Sequence, residues 1–305
     1  MLSWLDGSGK VEPLAPAPGN YLTPRLSPDG TKLALAVVRE GKQDLWVYGI
    51  RTDTWTRLTQ GAEPVLLPTW TPDGAYLAFR AGNSLAWTRS DGSGAVEHVA
   101  GVSRDAGPWT FSADGNWLSF WPLQPFSSLW TVPVEHGSGG APPRFGEPRR
   151  LRDNTAGAKG PPALSPDGKW LAYTSNDSGS FNVYVVPFSA GEPGVGGRKW
   201  TVSNKGGWAP AWSREGRRLF FQDGRRVQVV DYAVQGGLFV PEKPRIWSEA
   251  RLGDTGFLHG LDVAPDGKRV LALLPAADDP RAGTMLRVLL NLDAELPVRF
   301  LDQRR

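Results

Sequence analysis

Short apolar stretches, separated by turn-forming residues, follow one another along almost the whole chain. One of them, Leu164 to Tyr173, reads LSPDGKWLAY. Its Ser-Pro-Asp-Gly centre suits a tight turn, because proline presets φ, aspartate can bond to the nearby backbone and glycine accepts a positive φ. The residues after the turn are typical of a strand buried on both faces. The stretch therefore predicts two antiparallel strands joined by a turn.

The same turn phrase occurs six times. Its copies begin at Ser27, Thr71, Ser112, Ser165, Ser213 and Ala264. The third residue of every copy is acidic, and these residues lie 44, 41, 53, 48 and 51 positions apart. A repeat of this length, built from short strands, is the sequence mark of a β-propeller blade. Six unrelated hairpins in a sandwich would not need the same apolar flanks at every turn. We predict an all-β, six-bladed propeller of four-stranded blades.

The repeat divides the chain into one propeller domain, residues 1–305, with two orphan strands in residues 1–22. We place the blades at about 23–60, 61–100, 101–152, 153–203, 204–250 and 251–296. The last blade lacks a clear fourth strand, and an open ring would expose a sheet edge. We therefore expect the N-terminal strands to pair with the last blade. Three segments compete for two places, and the sequence leaves open which is displaced: Leu2–Leu5, Lys10–Leu14 and Met285–Leu292.

Composition agrees with this architecture and excludes several function classes. The 14 tryptophans suit the space between blades, and the 37 glycines and 27 prolines punctuate apolar strands. The absence of cysteine excludes disulfides, thiolate metal sites and a cysteine nucleophile. A net charge of +3 without a long basic run argues against nucleic-acid binding. No apolar window of about 18 residues and no signal peptide is found, so we expect no membrane insertion by this chain. We expect a monomer.

Four phrases of the sequence resemble the TolB-like propeller repeat. They are LSWLDGSGKVEPLAPAPGNYLTPRLSPDG, QDLWVYGIRTDTWTRLT, the segment from NVYVVPF to GWAPAWSREGRRLFF, and LDVAPDGKRVLALLP. They are most similar to the propellers found C-terminal to the membrane segment of many bacterial serine/threonine protein kinases. The resemblance implies a six-bladed propeller, and an extracytoplasmic or periplasmic location if the chain derives from such a kinase. The kinase motifs themselves are absent.

Candidate chemistry is sought on the loops that lead into the inner strands, where propeller channels open. The repeated turn aspartates are interpreted as turn caps rather than as a metal ring. As ligand residues at the channel mouth we single out Asn20, Tyr21, Trp208 and Phe257. Oxygen ligands such as Ca²⁺ prefers are offered by Glu63, Asp105, Asn154 and Asn204. His259 is the candidate general base.

Two classes of function follow from these residues. The first is a rigid binding scaffold that engages a protein, a peptide or a small molecule at the channel mouth. The alternative is an enzyme, a metal-dependent hydrolase of esters, lactones or phosphotriesters with its site in the channel. No catalytic motif decides between them, and a Gly-x-Ser-x-Gly elbow is absent.

One charged pair is predicted at the seam of the ring. The inner-strand residue two before each turn is Arg25, Thr69, Thr110, Ala163, Ala211 or Asp262. Only the first and last of these are charged, and their signs are opposite. Because an unpaired buried charge is costly, we expect Arg25 and Asp262 to form an ion pair across the closing seam.

Overall fold

The structure, a computed structural model, is all-β and consists of six antiparallel sheets arranged as a ring. It describes residues 1–14, 20–61, 63–102, 106–122, 128–135, 142–151, 159–189, 192–193, 198–215, 217–255, 258 and 260–275. Every strand pair in these ranges is antiparallel, and none of these residues forms a helix. The six-bladed propeller predicted from the turn repeat is confirmed.

The strands are numbered in chain order. The N-terminal pair is β1 (Leu2–Asp6) and β2 (Val11–Pro13). The first blade contains β3 (Asn20–Leu26), β4 (Lys32–Arg39), β5 (Lys42–Gly49) and β6 (Thr54–Arg57). The second contains β7 (Val65–Trp70), β8 (Tyr76–Ala81), β9 (Ser84–Arg89) and β10 (Glu97–His98). The third contains β11 (Ala106–Phe111), β12 (Trp117–Pro122), β13 (Leu129–Glu135), β14 (Arg144–Phe145) and β15 (Arg149–Leu151).

The second half of the ring is built in the same way. The fourth blade contains β16 (Lys159–Leu164), β17 (Trp170–Ser175), β18 (Asn182–Ser189), β19 (Glu192–Pro193) and β20 (Trp200–Thr201). The fifth contains β21 (Trp208–Trp212), β22 (Arg218–Asp223), β23 (Arg226–Gln235), β24 (Leu238–Pro241) and β25 (Arg245–Ser248). The sixth begins with β26 (Leu261–Val263) and β27 (Arg269–Leu273). No helix in the described part of the chain is long and apolar enough to cross a membrane.

The repeated turn folds as its residues predict. In the first copy Gly30 has a φ of +72° and donates its N–H to the Ser27 carbonyl at 2.9 Å. The Ser27 hydroxyl donates to the Asp29 carboxylate at 2.6 Å and accepts the Lys32 N–H at 2.9 Å. That hydroxyl bond, with backbone bonds to the carboxylate, lowers the pKa of Asp29. The turn aspartates are therefore caps, as interpreted from the sequence.

Replacing Gly168 with valine should lower the free energy of unfolding by about 1–3 kcal/mol. Gly168 has a φ of +67°, a region that β-branched residues avoid, and an added Cβ would contact nothing within 4 Å. The loss would therefore come from backbone strain alone. Gly168→Asn is the matched control, because asparagine tolerates this conformation. Urea denaturation that finds equal losses for the two variants would contradict the assignment.

The ring is closed by the N-terminus. Strand β1 pairs with β27 over five residues, and β2 pairs with β1, which gives the sheet order β2-β1-β27-β26. The two N-terminal strands thus fill the two outer places of the sixth blade, as expected. Within the described residues, β1 and β2 therefore occupy the two places for which the three segments competed. The third candidate, Met285–Leu292, lies outside the described residues.

Three sheets carry a short fifth strand that the sequence pattern did not predict. Strands β14, β19 and β24 each pair with the far end of the third strand of their blade, whereas β15, β20 and β25 pair with its near end. Strand β23, which pairs with two of these short strands, is ten residues long. In each of these blades the third strand therefore pairs with two separate short strands along its outer edge.

Tryptophans at the last position of two inner strands connect neighbouring blades. The Trp70 indole N–H donates to the Arg25 carbonyl of the preceding blade at 2.9 Å, and the Trp212 indole does the same to Ala163 at 2.9 Å. Both rings are buried in the core between blades. The same repeat position thus supplies apolar packing and a hydrogen bond in blades two and five.

Candidate functional site in the central channel

The inner strands of all six blades end around one cavity of about 290 Å³. Its walls are the last residues of β3, β7, β11, β16, β21 and β26 and several residues of the turns that follow them. The cavity therefore opens at the end of the ring that carries the repeated turns. The sequence had pointed to the opposite end, where loops lead into the inner strands.

Two repeat positions form concentric rings around this cavity. The residue directly before each turn is apolar and lines the cavity in every blade: Leu26, Trp70, Phe111, Leu164, Trp212 and Val263. The second ring consists of the residue one position earlier in each inner strand, which is the inner-strand set aligned in the sequence: Arg25, Thr69, Thr110, Ala163, Ala211 and Asp262. The cavity thus has an apolar wall, two threonine hydroxyls and one pair of opposite charges.

Arg25 reaches from the first blade to the third. Its Nη2 donates to the Trp109 carbonyl, and its guanidinium carbon lies 5.2 Å from the centre of the Trp109 ring. Only 13% of the side chain is exposed. Burial lowers the pKa of Arg25, and the Asp262 carboxylate acts in the opposite direction. The residue stays cationic, because the pKa of arginine in water lies far above neutrality.

Asp262 lies on the other side of the closing seam. Its Oδ1 is 3.6 Å from Arg25 Nη1, within ion-pair distance, and its side chain is 16% exposed. Its Oδ2 accepts the Leu26 N–H at 2.7 Å, and its Oδ1 accepts the Val263 N–H at 3.0 Å. The carboxylate therefore connects the sixth blade to the backbone of the first as well as facing Arg25.

Removing one charge of the Arg25–Asp262 pair should lower the free energy of unfolding more than removing both charges. Arg25→Met leaves a nearly buried carboxylate, Asp262→Leu leaves a nearly buried guanidinium, and the double variant leaves neither. We expect a coupling free energy of about 1–3 kcal/mol in a double-mutant cycle measured by urea denaturation. Arg218→Met with Asp231→Leu, a pair 3.0 Å apart whose side chains are 33% and 31% exposed, is the control and should couple less. Purely additive losses at Arg25 and Asp262 would contradict the pair.

Arg214 adds a second guanidinium to the cavity. It occupies the second position of the fifth turn, where the other turns have Pro28, Pro72, Ala113, Pro166 and Pro265. Its side chain lines the cavity, is exposed, and donates from Nη1 to the Pro28 carbonyl of the first blade. The positive charge of Arg214 also contributes to the lowered pKa of Arg25, after the larger effect of burial. Arg25, Arg214 and Asp262 together give the cavity lining a charge of +1.

The residues singled out from the sequence that the structure describes lie away from the turn-end cavity. Asn20 is exposed at the start of β3, and Tyr21 is 6% exposed and stacks on Trp55 with the ring centres 6.0 Å apart. Glu63 and Asn204 are exposed on loops. None of these four lines the cavity of 290 Å³. The other candidates, Phe257, His259, Asp105 and Asn154, lie outside the described residues.

Trp208 lies at a second cavity of about 300 Å³, at the loop end of the fifth blade. Phe181 stands edge-on to it with the ring centres 5.2 Å apart. The polar part of the lining consists of Gln222, Asp223, Arg225, Asp254 and Thr255. Within the described ranges, no three His, Cys, Asp or Glu side chains are grouped so that they could hold a metal ion. Glu63 is therefore not part of such a group among the described residues.

Comparison with known proteins supports the fold more strongly than any activity. No family model matches the chain. A solved structure from Agrobacterium tumefaciens assigned to TolB superimposes with a TM-score of 0.65 and 18% identity, covering 89% of this chain and 96% of that one. TolB from Acinetobacter baumannii gives a TM-score of 0.57 and 16% identity, covering 89% and 63%. The fold is that of a TolB-like six-bladed propeller.

One curated protein is similar in sequence. The uncharacterized peptidase YuxL from Bacillus subtilis (strain 168) is 31% identical over 161 residues. The match spans 50% of this chain and 21% of the relative. The matched half of the chain thus corresponds to about a fifth of that peptidase.

Proposed function

We propose that this propeller is a rigid binding module whose ligand or partner enters the central cavity at the turn end of the ring. The supporting observation is the cavity itself, because every one of the six inner strands contributes residues to it. A volume of about 290 Å³ is at the lower end of the range for small-molecule sites. It would accept a small molecule or one or two side chains of a protein partner.

The walls of the cavity are suited to selective recognition. Trp70 and Trp212 are fixed by indole hydrogen bonds to the neighbouring blade, so the parts of these rings that line the cavity need little ordering when a ligand binds. Thr69 and Thr110 add hydroxyl groups, and Arg25 with Asp262 adds charge. A preformed apolar cavity with a few fixed polar groups is the usual form of a small-ligand site.

We place this module in a larger receptor on the basis of its sequence. Its phrases resemble the propellers that follow the membrane segment of bacterial serine/threonine kinases. In such a protein the propeller would be extracytoplasmic, and the cavity would receive its ligand there. The TolB-like fold agrees with a role in binding but is shared by proteins of several functions.

Fragment screening by ligand-observed NMR tests the binding proposal. We expect hits that compete with one another and that disappear in Ala211→Phe, which fills the cavity from the fifth inner strand. Ala233→Phe adds the same ring to the same blade outside the cavity and should retain them. Hits that survive Ala211→Phe, or that depend instead on Trp208, would place binding elsewhere.

A metal-dependent hydrolase remains the second candidate, supported by the sequence match to a peptidase. Its candidate residues are Glu63 and Asn204 with Asp105, Asn154 and His259. Elemental analysis of the purified chain and a panel of ester, lactone and phosphotriester substrates test it. One metal per chain together with turnover that a chelator abolishes would establish the enzyme. Turnover unaffected by the chelator and by His259→Ala would refute this mechanism.

A further inference from the structure

The charged residues of the central cavity are the positions where the repeat departs from its own pattern. Four of the six inner-ring residues are threonine or alanine, and five of the six second turn positions are proline or alanine. The same packing is therefore possible without Arg25 or Arg214. What these two residues share is their place on the wall of one cavity.

The guanidinium of Arg25 retains hydrogen-bonding capacity. It donates from Nη2 to the Trp109 carbonyl, but its Nη1 lies 3.6 Å from the nearest Asp262 oxygen, beyond hydrogen-bond distance. A guanidinium has five N–H donors in a planar fork. Among the described residues Arg25 makes no other hydrogen bond, so Nη1 and Nε can serve a ligand.

The Asp262 carboxylate does not neutralise both positive charges of the cavity lining. Each of its oxygens accepts a backbone N–H, from Leu26 and from Val263. It balances one of the two guanidinium groups, and the second remains uncompensated in the cavity lining. A single negative charge on the ligand would restore neutrality.

Arg214 is placed to complete the site from the mouth. Its side chain extends from the fifth turn to the Pro28 carbonyl of the first turn, and so lies at the turn end of the cavity. Arg25 lies deeper in the cavity, on the inner strand β3. The exposed Arg214 side chain can be reoriented without unpacking the core. The planar N–H donor pairs of the two guanidinium groups match the two oxygens of a carboxylate better than lysine ammonium groups would.

We propose that the central cavity recognises a monoanionic carboxylate, held between Arg25 and Arg214, with the attached apolar group against Trp70 and Trp212. This inference rests on the proposed binding function and names its ligand class. A free small acid and the terminal carboxylate of a peptide share this chemistry.

Matched acid and amide probes test the inference by isothermal titration. Benzoate is compared with benzamide, and an acetylated tripeptide ending in phenylalanine is compared with its C-terminal amide. We expect at least one acid to bind about tenfold or more tightly than its amide, since charge-assisted hydrogen bonds are the strong ones. Preference for benzoate alone indicates a free small acid, and preference for the peptide acid indicates a chain terminus.

Substitutions at two arginines locate the preference. Arg214→Gln should reduce the acid-over-amide ratio to about twofold or less, and Arg214→Lys should restore part of it. Arg51→Gln removes an exposed arginine at the same end of the ring, outside the cavity, and should leave the ratio unchanged. Melting temperatures of the three variants check that each is folded.

The outcomes separate this inference from the binding proposal. If acids and amides bind equally, or if the ratio is unchanged in Arg214→Gln, the carboxylate site is overturned. If none of the four probes binds while neutral fragments are still lost in Ala211→Phe, the cavity binds ligands but not carboxylates. If the neutral fragments bind to the Ala211→Phe variant as well as to the unmodified chain, both proposals fail.

Discussion

Deleting residues 1–14 should abolish cooperative folding of the propeller. Strand β1 lies between the cores on its two sides: Leu2 and Trp4 pack with residues of the first blade, and Leu5 packs with residues of the fifth. Each fully buried large apolar side chain contributes roughly 1.5–3 kcal/mol. Three of them amount to about 5–9 kcal/mol, comparable with the whole stability of a typical domain. The deletion would also expose the edge of β27.

Thermal melting and size-exclusion chromatography of residues 15–305 measure this effect. We expect no cooperative transition and a strong tendency to aggregate. Two single substitutions in the same segment provide the matched comparison. Leu5→Asp places a charge at a fully buried position of β1, whereas Val11→Asp changes a residue of β2 that is 41% exposed. A truncated chain that melts within a few degrees of the full one would refute closure by the N-terminus.

Replacing Trp212 with alanine should have the second largest effect, a loss of about 3–5 kcal/mol in the free energy of unfolding. The ring is 8% exposed and stands edge-on to Tyr232 and Phe239, with ring centres 5.2 and 6.0 Å away. Its indole N–H is bonded to the Ala163 carbonyl of the fourth blade. The substitution thus removes both packing and a bond between blades.

Intermediate substitutions separate the two contributions. Trp212→Phe keeps an aromatic ring but leaves the Ala163 carbonyl without its donor, so we expect a loss of about 1–3 kcal/mol. Trp117→Ala removes the same side chain from a half-buried position on β12 and should cost less than Trp212→Ala. Urea denaturation of the three variants gives the comparison. Equal losses for Trp212→Ala and Trp117→Ala would contradict the assigned role between blades.

The features that depend on local chemistry could be predicted from the sequence. The turn at Ser165 is fixed by its own four residues, and its sixfold repetition gives the blade number. The seam pair could also be anticipated, because only Arg25 and Asp262 break a ring of small residues. Each of these inferences used a repeat position rather than a long-range contact.

Several features that depend on how distant segments approach one another were missed. The Arg25 side chain crosses the channel to the Trp109 carbonyl, a contact between the first and third blades that no spacing reveals. Strand β24 was missed although Gly236-Gly237, both with positive φ, is a two-residue hairpin signal. Arg214 could have been found as the charged residue at a position otherwise held by proline or alanine.

The cavity exists only in a closed ring, since Arg25 and Asp262 come from opposite sides of the seam. The pairing of β1 with β27 is therefore the central claim, and a disulfide tests it directly because the chain has no cysteine of its own. Ser3 and Ala272 are opposite one another in this pair, and such residues are about 4.5–5.5 Å apart at Cα, within disulfide range.

The measurement is the loss of free thiols in the monomeric Ser3→Cys, Ala272→Cys double variant under mild oxidation. The slipped pair Ser3→Cys, Leu271→Cys is the control, because a shift of one residue turns the side chain to the other face of the sheet. We predict nearly complete intramolecular linkage in the first variant and little in the second. Absence of linkage in the first, or equal linkage in both, would contradict the closed ring described here.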